Sequence, residues 1–280
     1  MKSLFLIFLS SLVTAQTAAI NAQILLKSAD KPTVYQIISA NSNNIKYVKN
    51  GKSESLPNKD VKAYYLVDPK KYTIAFKHMA SGDYELALDQ FQGIAETYKA
   101  LNLLENNPST KAAYYAHFCA IQTNQLDQLK ALKAKINDKN LIGGEFADKG
   151  QSFDFWSNIA EGQLDRLSSK FKSLKIDNYS NNIASELYYI KGLGERYEGN
   201  KSEAIEAFSK SIALANTNFT SYERLAIIQL LETLNDTDAL SSDDASIFRA
   251  LGEHYQTFYA EKMALSLPIL ARLRELGLDV

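Results

Sequence analysis

The sequence has one cysteine, one tryptophan and three histidines in 280 residues. A lone cysteine closes no internal disulfide, so the fold must stand on its hydrophobic core. Cys119 lies in the strongly apolar stretch 112–121 and reads as a buried, inert thiol. The three histidines, His78, His117 and His254, fall on different expected helices. None has a second histidine or cysteine at ligand spacing, so they read as core-edge or surface residues and no metal site is expected.

Charge of one sign is also missing. Lys and Arg number 31 against 32 Asp and Glu. Capture of nucleic acid or an anionic membrane needs a basic excess or stripe, and neither is present. The runs Lys70-Lys71 and 130–139 are interrupted by acidic or apolar residues and read as solvated faces. After the first residues no apolar run approaches the roughly 18 residues of a membrane span.

Motifs for chemistry are lacking too. Gly143-Gly144 has no neighbouring Lys-Ser/Thr, so it is not a phosphate cradle, and no serine sits in a nucleophile elbow. Asp236, Asp238, Asp243 and Asp244 form an acidic loop without the glycine and terminal carboxylate of a calcium loop. Carboxylate pairs such as Glu195 and Glu198 belong on any exposed helix face. Neither an enzyme nor a cofactor is expected.

What is present begins with a leader. Lys2 is a short positive region, Leu4 to Leu9 with Leu12 and Val13 an apolar one, and Ala15 to Ala22 a small and polar one. This pattern predicts a signal peptide over 1–22, cleaved between Ala18 and Ala22. With no cysteine after it, a lipoprotein anchor is excluded. The chain is therefore expected outside the cytoplasm, in a bacterial periplasm or extracellular, and not inserted in a membrane once cleaved.

Residues 23–67 alternate rather than wind. Runs at 23–27, 33–39, 45–49 and 61–67 are rich in β-branched and tyrosine residues. Turn chemistry separates them at Asp30-Lys31-Pro32, Asn41 to Asn44, Asn50-Gly51 and Leu56-Pro57-Asn58, and Asn50-Gly51 is a strong hairpin signal. Four or five short strands predict a small SH3-like barrel or sandwich. At Asp68-Pro69 the period becomes helical, because proline suits a first helical position.

From there the chain repeats. Gly82, Asn124, Gly162 and Gly199 align as turn residues, spaced by 42, 38 and 37. Tyr84, Leu126, Leu164 and Lys201 come two residues later, and Ala87, Leu129, Leu167 and Ala204 five later. Nine later come Phe91, Lys133, Phe171 and Phe208. Each turn predicts a hairpin of two amphipathic helices of three to four turns. The phenylalanine fills the gap between neighbouring hairpins. The clearest unit carries Tyr188, Gly192, Gly199, Ala204 and Phe208, and Tyr222 and Ala226 repeat its start after 34 residues. Next is Ala75, Gly82, Asp83, Tyr84, Ala87 and Phe91.

In these residues the chain resembles the tetratricopeptide repeat family over about 70–230. The units around Asn124 and Gly162 depart from its pattern, with Leu129 and Leu167 where a small residue is usual. The resemblance implies a mainly α protein, α+β overall: a right-handed α-solenoid over 68–235, behind the β module, with capping helices over 236–280. Ser242 or Asp243 and Pro268 mark the starts of the last two helices, and Gly277 the end of the second.

Tyr72, Tyr114 and Tyr189 stand ten residues before three of the turns. Phe76, Phe118, Trp156 and Leu193 stand six before all four. Positions four apart share a helix face. The family's first helices line a concave groove that commonly meets a peptide. The resemblance therefore implies a partner-binding stripe of Tyr72, Phe76, Tyr114, Phe118, Trp156, Tyr189 and Leu193. The alternative is that the same rings pack inside. The expected function is a scaffold for a peptide or protein partner. A structural subunit of an envelope assembly or homo-oligomer stands beside it, and an enzyme or small-ligand receptor with a site between the two modules is a third reading.

Overall fold

The computed structural model describes residues 19–66, 69–136, 149–215, 221–237, 239–261 and 264–280. The leader over 1–18, Asp68, Gly143-Gly144 and Asp238 lie outside these residues. Two compact units divide at Val67/Asp68.

The first unit is a five-stranded antiparallel sheet. Its strands are β1 (Ile20–Leu26), β2 (Thr33–Ala40), β3 (Asn44–Lys49), β4 (Lys52–Pro57) and β5 (Val61–Leu66), in the order β4-β3-β2-β1-β5. Alternation places Ala22, Ile24, Ile37 and Ile45 in buried positions. The hairpin between β3 and β4 turns at Asn50 and Gly51, with φ of 51° and 74°. Both central residues are left-handed, as a two-residue turn matched to strand twist requires.

Three expectations are corrected here. The sheet is open, with β4 and β5 as its edges, and no closed barrel forms. Ile20, Asn21 and Ala22, assigned from sequence to the leader, are strand residues paired with β2 and β5. Leu56-Pro57, read as a turn, ends β4, where an edge strand tolerates proline because the ladder needs no N–H on its open side.

The second unit is helical: α1 (Pro69–Ser81), α2 (Tyr84–Thr97), α3 (Pro108–Gln122), α4 (Leu129–Lys133), α5 (Lys149–Ala160), α6 (Asp165–Phe171), α7 (Asn181–Tyr197), α8 (Lys201–Leu214), α9 (Glu223–Asn235), α10 (Ser242–Phe258) and α11 (Leu267–Glu275). Gly82, Asn124, Gly162 and Gly199 all have positive φ, so each ends a first helix in the left-handed conformation. The hairpins are α1/α2, α3/α4, α5/α6 and α7/α8. No helix among the described residues is long and apolar enough to cross a membrane.

The two middle hairpins are lopsided. α4 has five residues and α6 seven, shorter than the three to four turns expected. In the second of them the leucine at the usual small position, Leu167, is accommodated by the next hairpin. Gly194 on α7 yields to Leu167, whose Cβ would lie 3.0 Å from a Cβ at that glycine. In the regular hairpin the relation is inverted: Gly192 admits the ring of Phe208, which a Cβ would meet at 2.4 Å. Phe208 thus packs within its own hairpin, whereas Phe91 also stacks on Tyr115 of the next, their ring centroids 5.2 Å apart.

Side-chain caps start two of the helices. Asn107 caps α3 by accepting from the Thr110 N–H at 2.8 Å, one residue before Pro108. Ser241, not Ser242 or Asp243, caps α10 by accepting from the Asp244 N–H at 3.1 Å.

α3 is buried all round, apart from half-buried Lys111. A helix covered on every side lies in the middle of its domain. The cover on its inner face comes from the start of α9. Tyr222 sets its ring 5.7 Å from Phe118, and Arg224 reaches Gln122. α10 continues the cover, with Tyr259 and His254 both bonded to Glu223. The chain folds its last helices back over its own first helices.

Candidate functional site: a cavity walled by Trp156 and Tyr189

Glu186 on α7 is 3% exposed. An unpaired carboxylate there would cost several kcal/mol of lost hydration. Three donors meet it. Lys149 Nζ donates to Oε2 at 2.6 Å, while Trp156 Nε1 and the Tyr222 hydroxyl donate to Oε1 at 2.8 and 2.9 Å. Burial pushes the Glu186 carboxyl up. The Lys149 charge and the three hydrogen bonds outweigh it and hold the group below its ordinary value. Burial likewise pushes Lys149 down, and Glu186 with Tyr114 reverses it, so the ammonium stays charged. His117, also buried, is pushed down to about 4, by burial first, with Lys149 and Lys133 adding to it against Glu186.

This cluster fixes the indole of Trp156. Its N–H is tied to Glu186, and its ring lies 6.0 Å from both Tyr222 and Tyr189. Trp156 and Tyr189 wall a cavity of about 400 Å³. Leu193 and Tyr197 follow Tyr189 along α7 at steps of four and line the same space. Ile121, Ile159, Leu126 and Leu164 add apolar wall from α3, α5 and the turns that follow them. Tyr197, 59% exposed, stands at the rim.

Asn124, Gln229 and Arg196 are the polar lining. Arg196 Nη1 donates to Gln229 Oε1 at 2.7 Å and Glu232 Oε2 at 2.6 Å, and Nη2 to Asp236 Oδ2 at 3.0 Å. Burial pushes the guanidinium down, and the hydrogen bonds to Glu232 and Asp236 more than restore it. Two carboxylates against one guanidinium leave one negative charge in excess.

Of the seven residues expected to bind a partner, Trp156, Tyr189 and Leu193 line this cavity. The other four do not. The rings of Trp156, Tyr189, Phe118 and Tyr114 are all buried, at 1%, 6%, 2% and 4% exposed, but Tyr114 and Phe118 do not line the cavity and lie in the interior near the start of α9. Tyr72 and Phe76 pack around Phe91, and Tyr72 donates its hydroxyl to the Pro108 carbonyl at 2.6 Å. The structure thus brings three of the seven to one cavity, while the start of α9 meets Phe118, and Tyr72 and Phe76 pack against Phe91, Phe76 also against Tyr115. Sequence reasoning missed Arg196 and Gln229. The signal available was Gln229, Glu232 and Asp236, three polar residues at steps of three and four on a helix otherwise mostly apolar.

A second, more polar cavity of about 380 Å³ lies beside the α1/α2 turn, lined by Asp83, Tyr84, Glu85, Gln122 and Arg224 among others. Among the described residues no three His, Cys, Asp or Glu converge as a cation site. Comparison of the chain with protein-family models, curated proteins and solved structures finds no match.

Proposed function

We propose that this protein is an exported, non-enzymatic scaffold of tetratricopeptide-like hairpins in a right-handed solenoid, and that it binds a peptide or protein partner by taking an apolar side chain into the Trp156–Tyr189 cavity. The observation that carries the reading is convergence. Three residues picked out by repeat register alone, Trp156, Tyr189 and Leu193, wall one apolar cavity between helices α3, α5, α7 and α9. Its volume falls in the range of sites that hold a side chain or small ligand. Export rests on the leader pattern of 1–22. Cleavage at Ala18 or Ala19 leaves β1 whole.

One buried anchor contributes about 1.5–3 kcal/mol. A micromolar complex needs about 8 kcal/mol. The partner must therefore also use the rim, where Tyr197 and the Arg196 cluster stand, which favours a polypeptide over a free small molecule.

Photocrosslinking in the native cell tests the reading, with benzoylphenylalanine replacing Leu193 or, as a control, Lys52 on β4. Adducts with a protein from the Leu193 position alone support it. No adduct, or the same adducts from both positions, defeats it.

A second reading has its own observation. Ile247 and Phe258 are 48% and 60% exposed and share one face of α10 with half-buried Leu251. This stripe suits a subunit of an envelope assembly or a homo-oligomer. Sedimentation of the Phe258→Glu chain against the parent separates the two readings.

A further inference from the structure

We propose that the segment seated at the Trp156–Tyr189 cavity carries its apolar anchor next to a basic residue, lysine or arginine, which docks on Asp236. The inference rests on the cavity reading above and adds the chemistry of the partner.

Two observations carry it. The first is that Arg196, the cation among the described lining residues, is already paired. Arg196 gives its hydrogen bonds to Gln229, Glu232 and Asp236 at 2.6–3.0 Å. An acidic ligand would meet two carboxylates already bound to that guanidinium. The second is the placement of the excess charge. Asp236 ends α9 with its side chain 62% exposed, while Arg196 and Glu232 are 29% and 33% exposed. The most exposed member of the cluster is thus a carboxylate, four residues beyond Glu232 and seven beyond the cavity-lining Gln229, and it reaches the lining through Arg196. Arg272 already meets this helix end, donating to Asn235 Oδ1 and the Thr237 carbonyl at 3.5 and 3.0 Å, and is itself paired with Glu275, so the exposed charge left over is that of Asp236. Apolar wall and an exposed negative charge behind Arg196 are complementary to an apolar side chain with a positive neighbour.

The arrangement also discriminates. A basic flank meets Asp236 without disturbing the Arg196 bonds, whereas an acidic flank meets like charge beside two guanidiniums, Arg196 and Arg272, that already hold carboxylates.

The experiment uses the full chain and acetylated, amidated heptapeptides with phenylalanine at the centre, flanked by two lysines, two serines or two glutamates. Affinities are read by calorimetry at low ionic strength. The lysine-flanked peptide is expected to bind roughly threefold tighter than the serine-flanked one, and the glutamate-flanked one roughly threefold weaker, as exposed charge pairs allow. The spread should collapse in Asp236→Asn and at high salt, where surface charges are screened. A lysine-flanked peptide with alanine at the centre should bind at least about fivefold more weakly than its phenylalanine counterpart, from the loss of the buried ring.

Equal binding of all three phenylalanine peptides, or tighter binding of the glutamate one, overturns the basic flank and leaves the cavity as the site. A spread unchanged in Asp236→Asn overturns Asp236 as the docking point. Equal binding of the alanine-centred peptide shows unspecific charge attraction and overturns the anchor. Failure of every peptide to bind overturns the cavity reading itself, and this inference with it.

Discussion

Arg224 Nη2 donates to both the backbone carbonyl and the side-chain carbonyl of Gln122, at 2.9 and 2.8 Å, across 102 residues of sequence. The same guanidinium lies 5.2 Å from the centre of the Tyr84 ring and is 4% exposed. One side chain from the start of α9 therefore ties together the ends of the first and second hairpins. This closure covers the C-terminal end of the buried helix α3.

Arg224→Leu should cost about 3 kcal/mol, because the buried Gln122 carbonyls lose charge-assisted bonds and cannot regain water. Urea unfolding of variant and parent measures it. Limited proteolysis should also cut earlier in 236–280, where α10 leans on the same closure. A cost under about 1 kcal/mol would mean that α9 holds by apolar contact alone.

Glu186→Gln should be severe, at about 3–5 kcal/mol, because it leaves the Lys149 ammonium buried and unpaired. Lys149→Met in the same chain should recover a large part of that loss. A double-mutant cycle in urea gives the coupling. Additive losses would show that the two charges do not depend on each other.

Gly192→Ala pits two effects against each other. Alanine favours a helix by about 1 kcal/mol over glycine. Its Cβ would stand 2.4 Å from the Phe208 ring. Overpacking costs about 1–3 kcal/mol, so the substitution should destabilise on balance. Phe208→Leu added to it should restore part of the loss. Thermal unfolding of the three variants checks the order.

His117 makes stability depend on pH. Its ring is held neutral, with a folded value of about 4 against 6.5 in the unfolded chain. Its contribution is complete above pH 6.5 and is lost as pH falls toward 4, because only the unfolded chain takes up the proton in that window. The loss amounts to about 3 kcal/mol in full. Glu186, whose folded value is depressed, acts in the same direction at lower pH, below its ordinary 4.5. His117→Phe should flatten the curve between pH 6.5 and 4.5 and leave the fall below it. An unchanged slope would show that the imidazole titrates freely.

The helical hairpins were legible because their turns depend on local chemistry. Gly82, Asn124, Gly162 and Gly199 each had to be left-handed, and few residue types allow that. The second, third and fifth strands read clearly from alternation, while the first read as starting at Gln23, three residues late. β4 was not legible, since its Lys52, Ser53, Glu54 and Ser55 are polar on both faces of an exposed edge. The site was half legible. Register selected Trp156, Tyr189 and Leu193 together, but it selected Tyr114 and Phe118 equally, because nothing local separates a ring facing a groove from one facing α9. The contacts that decide it, Tyr222 with Phe118 and Arg224 with Gln122, join residues about a hundred positions apart. One warning was present. The stretch 112–121 is apolar on every side, and a helix lining an open groove would keep a polar face.

Trp156 is the only tryptophan of the chain, so its emission reports directly on the cavity it walls. The decisive measurement is a fluorescence titration of the full chain with a tryptophan-free peptide carrying phenylalanine between neutral residues, repeated on Leu193→Arg. The cavity account predicts a saturable change in emission for the parent and none for the variant. A parent that shows no saturable change, or a variant that shows the same one, would contradict it.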